Sequence, residues 1–407
     1  MDSAQRPVVV LRSAWLPTRQ ANGLQTVRMC EAFASLGLPV KLYYVPPPRL
    51  RDDIAAYYNL RAPIDFKRLP RAVLPMRKHF TLNRRWSAAP SFAHAFLWCG
   101  WVTQIASRAD ALFYFVREPM LAWWLARRRL PTVLEIHDIP KGFERIFIRS
   151  ASRQDSLRLL LSITEHMRID LAEQLQVPPQ KLLTLHDGIE PSESSYSETK
   201  EVARQKLGLA ADRDLIVYTG RLDAEKGVEV LARTAPMLRD VHIVIVGDGM
   251  LADGRLQRLI EEINANNMTL VGFRPHSEAR LFQKAADVLV LPHSMKYLHS
   301  AYYTSPLKLF EYMAAGAPII ATDLPAIREV IRHGDNGWLV LPDNPSALAA
   351  GILHLLENRR LGSAMAAKAA RDAQSYTWEK RAARIVERLG LSGLTDENRR
   401  EAAQAAQ

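Results

Sequence analysis

Cysteine is nearly absent from this chain: two in 407 residues, Cys30 and Cys99. So few exclude a disulfide framework, their spacing fits no metal motif, and a reducing compartment suits them. Long apolar runs are missing too. The longest, such as FAHAFLWCGWV, reach about half of the roughly 20 residues a membrane-spanning helix needs. The start, MDSAQRPVVVLRSAW, lacks a charged stretch followed by a long apolar one, so no signal peptide is expected. Acidic residues are missing from Phe66 to Ala109, while the chain as a whole carries a net charge of +11. That gap holds Lys67, Arg68, Arg71, Arg77, Lys78, Arg84, Arg85 and Arg108, interleaved with Phe66, Leu74, Phe80, Leu82, Trp86, Phe92, Trp98 and Trp101. WWLARRRL at 123–130 repeats the theme. Such segments suit an anionic partner, whether lipid headgroups, phosphorylated lipid or nucleic acid, or are simply solvated basic faces.

What is present is ordinary for a globular protein: 48% hydrophobic and 24% charged residues. A chain of this length exceeds one core, so two domains are expected. Apolar runs alternate with helix-period segments, the pattern of parallel sheets covered on both faces. PVVVLRSAW, PVKLYYV, ALFYFV, TVLEIH, LRLLLSI and KLLTLHD read as strands of a first domain, with a helix over LQTVRMCEAFASLG closed by Gly37. The polar, Ser- and Glu-rich DGIEPSESSYSETKE (187–201) reads as a connection. A second series follows: DLIVYTG, VHIVIVGDG, MTLVGF, DVLVLP, PIIATD and GWLVLP, with helices between them. The expected division is a Rossmann-like domain over 1–190, a linker over 191–205 and a second Rossmann-like domain over 206–376. A helix over 377–392 and a polar tail complete it. Ligands of such sheets bind at the carboxyl ends of the strands, here in a central cleft.

Four stretches carry candidate chemistry. In YTGRLDAEKGVEVLA a strand ends at Thr219, Gly220 permits a tight turn, and Arg221 and Lys226 flank it before Gly227. Two cations beside a helix start suit a diphosphate, although a plain turn with surface charges looks the same. In VIVGDGM, Gly247 and Gly249 permit close approach of a ligand to the backbone. In TSPLKLFEYMAAGAPIIATD, Lys308 and Glu311 share one helix face. That carboxylate could accept bonds from two adjacent hydroxyls, as on a ribose, or be half of a surface ion pair. In TVLEIHD, Glu135, His137 and Asp138 stand at a strand end facing the expected cleft.

The order and spacing of Gly220-Arg221-Leu222, Lys226-Gly227, VGDG, LVGF, ADVLVLP and LFEYMAAGAPIIATD resemble those of retaining glycosyltransferases of the GT-B fold. The type is family 4, or glycosyltransferase group 1. HDGIEP, EIHD, the glycine loop with its first helix (LPTRQANGLQTVRMCEAFASLGLPVKLYY) and YTWEKRAARI fit the same pattern. The resemblance covers nearly the whole chain; it is strong over 214–343 and looser over 40–130. It implies that Arg221 and Lys226 hold a donor diphosphate and that Glu311 holds the ribose. Ser305, Pro306, Leu307 and Lys308 would line the phosphates, and Phe273, Arg274 and the Gly247–Gly249 turn would border the base. Gly23 would let a loop of the first domain close over the donor, and His137 would contact the transferred sugar. It also implies a helix crossing back to the first domain and no bound metal. No Asp-x-Asp occupies a plausible site, and the donor's own phosphate takes the acceptor proton. One position departs from the pattern: Tyr303 replaces a family Glu that holds sugar hydroxyls, leaving Tyr303, Tyr302 or His299 to substitute.

The expected function is metal-independent, retaining hexosyl transfer from a UDP- or GDP-linked donor to a lipid-linked or cell-envelope glycan. The enzyme is expected in the cytoplasm, with 66–101 docking on the anionic inner face of the plasma membrane. The alternatives are a sugar-nucleotide epimerase of the same architecture, or a degenerate homologue that binds glycan or anionic polymer. Nucleic-acid binding has no recognition motif behind it.

Overall fold

A computed structural model describes residues 6–18, 20–47, 53–70, 89–190 and 198–395, the side chains of 89–91, 252 and 253 excepted. The chain divides into two units, Met1–His186 with Trp378–Gln407, and Asp187–Thr377.

The first unit is built on strands β1 (Val8–Trp15), β2 (Val40–Val45), β3 (Asp65–Arg68), β4 (Phe113–Val116), β5 (Thr132–Ile136), β6 (Leu157–Ser162) and β7 (Leu182–Thr184). They lie in the order β3-β2-β1-β4-β5-β6-β7, every pairing parallel. Val10 stands opposite Leu42 on one side and Phe115 on the other. Helices cover both faces, which is why VVVL and FYFV are buried throughout rather than alternating.

The second unit has strands β8 (Asp214–Thr219), β9 (Val241–Val246), β10 (Met268–Gly272), β11 (Val288–Leu291), β12 (Ile319–Thr322) and β13 (Trp338–Val340). Their order is β10-β9-β8-β11-β12-β13, again parallel. The two-residue period of a strand sends neighbours to opposite faces. Accordingly Ile216, Tyr218, Ile243, Ile245, Val288 and Val290 join one core. Leu215, Val217, Val244, Val246, Leu289 and Leu291 join the other. The 307–315 helix adds fully buried Leu309, Phe310, Tyr312 and Met313 to that second core, each apolar side chain stabilising by about 1.5–3 kcal/mol. Gly316, with φ 79°, then turns the chain into β12.

Two expectations change. Part of the expected 191–205 linker is a helix, Lys200–Leu207, capped by the Thr199 hydroxyl on the Val202 amide. It is anchored because Ala203 is buried and Arg204 pairs with Asp287 at 2.5 Å, while Lys200 meets the same carboxylate at 2.8 Å. The basic-aromatic segments, in turn, are largely built into the fold where they are described. Residues 71–88, with Arg71, Leu74, Arg77, Lys78, Phe80, Leu82, Arg84, Arg85 and Trp86, lie outside the described residues. The apolar run of 92–102 belongs to a helix, Ala89–Ala106, whose Trp98 is buried. Phe92 and Phe96 pack in one aromatic group with Trp123, Trp124, Phe143 and Phe147. Arg127 and Arg128 lie over the rings of Trp123 and Trp124, at 5.1 and 4.8 Å. Among the described residues no helix is long and apolar enough to cross a membrane. Both cysteines are free and buried, and burial pushes their thiols up, away from reactivity.

Candidate functional site

In the second unit the sequence-predicted residues gather at the carboxyl ends of β8, β9 and β10. β8 ends at Thr219, and the next residue, Gly220, has φ 133°. A Cβ there would lie 2.2 Å from the Lys308 ammonium, so the glycine makes room for that lysine. Lys308 donates to the Tyr218 hydroxyl at 2.7 Å and sits 4.0 Å from its ring centre, while that hydroxyl donates to the Arg221 carbonyl at 2.6 Å. Burial and the neighbouring Lys226 hold the Lys308 ammonium well below the usual lysine range. Gly247, at φ 151°, packs against the same turn: a Cβ would meet the Gly220 carbonyl at 1.8 Å. Its amide donates to the Gly272 carbonyl at 2.9 Å, which ties Phe273 and Arg274 to the Gly247–Gly249 turn.

The other cations here are tethered by near neighbours. Arg221, 59% exposed, pairs with Asp223 at 2.6 Å, and Lys226 pairs with Glu225 at 2.9 Å. Asp223 also accepts from the Met250 amide at 3.1 Å. Burial raises the Asp223 carboxyl, but bonds from Arg221 and the Met250 amide prevail and leave it lowered. Arg274 pairs with Glu278 at 2.9 Å, and Phe273 is 47% exposed.

Glu311 sits one turn after Lys308 on the 307–315 helix, with a mostly covered side chain. One oxygen accepts from the Gln283 amide at 2.9 Å; the other lies 3.4 Å from His276 Nε2. Gln283 also donates to the Thr219 hydroxyl at 2.9 Å, and the Tyr312 hydroxyl accepts from the Thr219 amide at 2.8 Å. The helix therefore hangs on the end of β8. Pro306 is its N-cap, with no side-chain cap bond, and the first-turn N–H groups of Leu307 and Lys308 have no carbonyl partner within the helix. The Ser305 hydroxyl is engaged elsewhere: it accepts from the Asp187 amide at 2.9 Å. Tyr303 is half-buried after a short helix, Leu298–Tyr302, its ring 6.1 Å from that of Tyr302.

The first unit holds the remaining predicted residues. His137, just past β5, pairs through Nε2 with Glu135. Gly23 lies in the first turn of the helix Ala21–Ser35 rather than in a loop. Its hydrogen leaves space for Thr18 and the Tyr58 hydroxyl, which a Cβ would meet at 2.4 and 2.6 Å. Sequence reasoning missed Tyr218, Gln283, His276, Arg117 and Arg381. A polar Gln283 at a buried position of a strongly amphipathic helix was the available signal. Among the described residues no group of three His, Cys, Asp or Glu is placed to hold a metal.

Residues 213–358 match the family model described as glycosyl transferases group 1. The matched stretch lies within the second unit, Asp187–Thr377. An uncharacterized glycosyltransferase of Methanocaldococcus jannaschii is 27% identical over 56% of the chain and 58% of that relative. A D-inositol 3-phosphate glycosyltransferase of Thermobispora bispora is 27% identical over 65% of the chain and 66% of that relative. The chain thus spans 58% and 66% of the length of these two relatives. In fold it matches the Anabaena protein HepE, crystallised with UDP, at a TM-score of 0.69 and 18% identity, covering 94% of this chain and 99% of HepE. That likeness is one of fold, of the GT-B type, and the last helix, Trp378–Arg388, belongs to the first unit.

Proposed function

We propose that the chain is a retaining hexosyltransferase whose donor is a nucleoside diphosphate sugar, UDP- or GDP-linked. The observation that carries this reading is the cation-lined turn at the end of β8. Lys308 packs against Gly220, Arg221 is the next residue and Lys226 lies near Lys308, which is in contact with a neutral hydroxyl rather than a carboxylate. An arriving diphosphate offers Lys308 the negative charge that the Tyr218 hydroxyl does not. Its oxygens take the ammonium of Lys308 and the first-turn N–H groups of Leu307 and Lys308, and Glu311 accepts from the ribose hydroxyls.

In the reaction the bond from the sugar's anomeric carbon to the phosphate oxygen breaks, and a bond to the acceptor oxygen forms on the same face. The leaving diphosphate's added charge falls on Lys226, Lys308 and Arg221, without a step through a metal. A phosphate oxygen takes the acceptor's proton, and His137 contacts the transferred sugar. HepE's complex with UDP supports a uridine donor as the first to try.

For the acceptor we propose a lipid-linked or cell-envelope glycan, reached from the cytoplasmic side of the membrane. Leu97 and Trp101, one helical turn apart on the Ala89–Ala106 helix, are 69% and 50% exposed, which suits an interfacial contact. The test is product analysis by proton NMR with labelled donor. Release of free nucleoside diphosphate only with acceptor, and a product with the donor's anomeric configuration, is the expected result. An inverted product, or conversion of the donor sugar without any acceptor, overturns the reading.

A further inference from the structure

Among the described residues of the first unit, Glu135 is the most fully buried charge. It lies on β5, wholly buried, and three cationic or cation-capable groups converge on its carboxylate. Arg117 reaches one oxygen at 2.6 Å, Arg381 the other at 2.7 Å, and His137 Nε2 shares the oxygen that Arg117 holds. Burial alone would raise this carboxyl; Arg117, Arg381 and His137 outweigh it and keep it well below the usual range. It is therefore an ionised, acceptor-only group at neutral pH.

The cations are themselves fixed from three directions. Arg381, 3% exposed in its side chain, comes from the last helix and donates to the carbonyls of His186 and Leu185 at 2.9 and 3.3 Å. Arg117 donates to the Gln25 side chain at 3.1 Å, in the first turns of the Ala21–Ser35 helix. His137 keeps 22% of its side chain exposed. A charge so buried costs stability unless it is paired, and here one of its partners is an imidazole ring. A carboxylate can only accept, so the neutral imidazole bonded to it must carry its proton on Nε2 and leave a lone pair on Nδ1.

We propose that Glu135, clamped by Arg117 and Arg381, is the positioning residue of His137. It fixes the ring as the Nε2–H tautomer and presents Nδ1 as an acceptor for a hydroxyl of the transferred sugar. This rests on the reading above that His137 contacts that sugar. The last helix then has a chemical task besides packing, because its Arg381 holds the oxygen that His137 does not use.

The test is ring-nitrogen NMR on the full chain labelled with ¹⁵N-histidine, as wild type, Glu135→Gln, Arg381→Lys and His137→Ala. The expected wild-type spectrum shows a protonated Nε2 and a bare Nδ1 for the signals that His137→Ala removes. Glu135→Gln should admit the other tautomer and lower the transfer rate by roughly tenfold to a hundredfold, with UDP affinity changed less than about twofold. Should Glu135→Gln fail to fold, the wild-type spectrum and Arg381→Lys, which keeps the charge but loosens the clamp, decide the matter. A wild-type ring protonated on Nδ1, or a tautomer indifferent to Glu135→Gln and Arg381→Lys, overturns the inference. The underlying reading fails separately: it falls if the tautomer is fixed as expected yet His137→Ala transfers sugar at the wild-type rate.

Discussion

The two units place their key charges in opposite ways. In the first, one buried carboxylate, Glu135, is surrounded by Arg117, Arg381 and His137, drawn from distant parts of the chain. In the second, the cations Arg221 and Lys226 are tied to neighbours one or two positions away, and Lys308 rests on the hydroxyl and ring of Tyr218. The first arrangement is complete without a ligand, and its worth is order. In the second, Arg221 and Lys226 have their carboxylates, but Lys308 meets a hydroxyl rather than a carboxylate, and its worth is in what it can receive. A closed charge cluster should thus report on stability, and an open one on binding.

The largest expected effect breaks the closed cluster. Glu135→Ala leaves buried Arg381 without its carboxylate and should cost about 3–5 kcal/mol of unfolding free energy in denaturant titrations. Because the folded-state pKa of Glu135 is depressed, its contribution is fully present above the unfolded value of 4.5. It is lost as pH falls from there toward the lower folded value, so Glu135→Gln should flatten the acid limb of the stability curve.

Lys308→Met tests the open side. Removing a charge that the fold itself disfavours should leave the melting temperature unchanged or higher. Affinity for UDP should nonetheless drop by roughly tenfold to a hundredfold, the equivalent of one charge-assisted bond. A bound diphosphate favours the ammonium form, so wild-type affinity should weaken as pH rises through the depressed Lys308 pKa; that limb should vanish in Lys308→Met.

Gly247→Ala places a Cβ on the Gly220 carbonyl at a left-handed φ. It should cost about 1–3 kcal/mol in thermal unfolding and distort the turn that Lys308 serves. Arg221→Ala is the smallest change: an exposed ion pair contributes about 0–1 kcal/mol, so stability should barely move. Transfer rates should still fall, because the guanidinium has lost its place beside the leaving group.

How much of this was legible in the sequence divides along the same line. The placement of Gly220, Lys226, Gly247, Lys308 and Glu311 was readable, because they stand in short stretches whose local geometry follows from strand ends and helix starts. The closed cluster was not. His137 and Glu135 are adjacent in pattern, but nothing local says that Arg381, in a helix near the far end of the chain, completes them. The basic segments were only partly readable for a related reason. A charge count does not show where the aromatic partners lie, although the spacing of Trp123 to Arg127 and Trp124 to Arg128, four residues on one helix face, carried the hint. The helix at 200–207 hid inside a polar stretch because its anchor, Asp287, is brought to it only by the sheet.

The most direct measurement of the central claim is calorimetric titration of the purified chain with UDP and with GDP, with and without EDTA, beside Lys308→Met. One nucleotide should bind with the same affinity in the chelator and at least about tenfold more weakly in the variant. Binding that EDTA abolishes, or that Lys308→Met leaves untouched, would contradict a site whose charge is supplied by these cations.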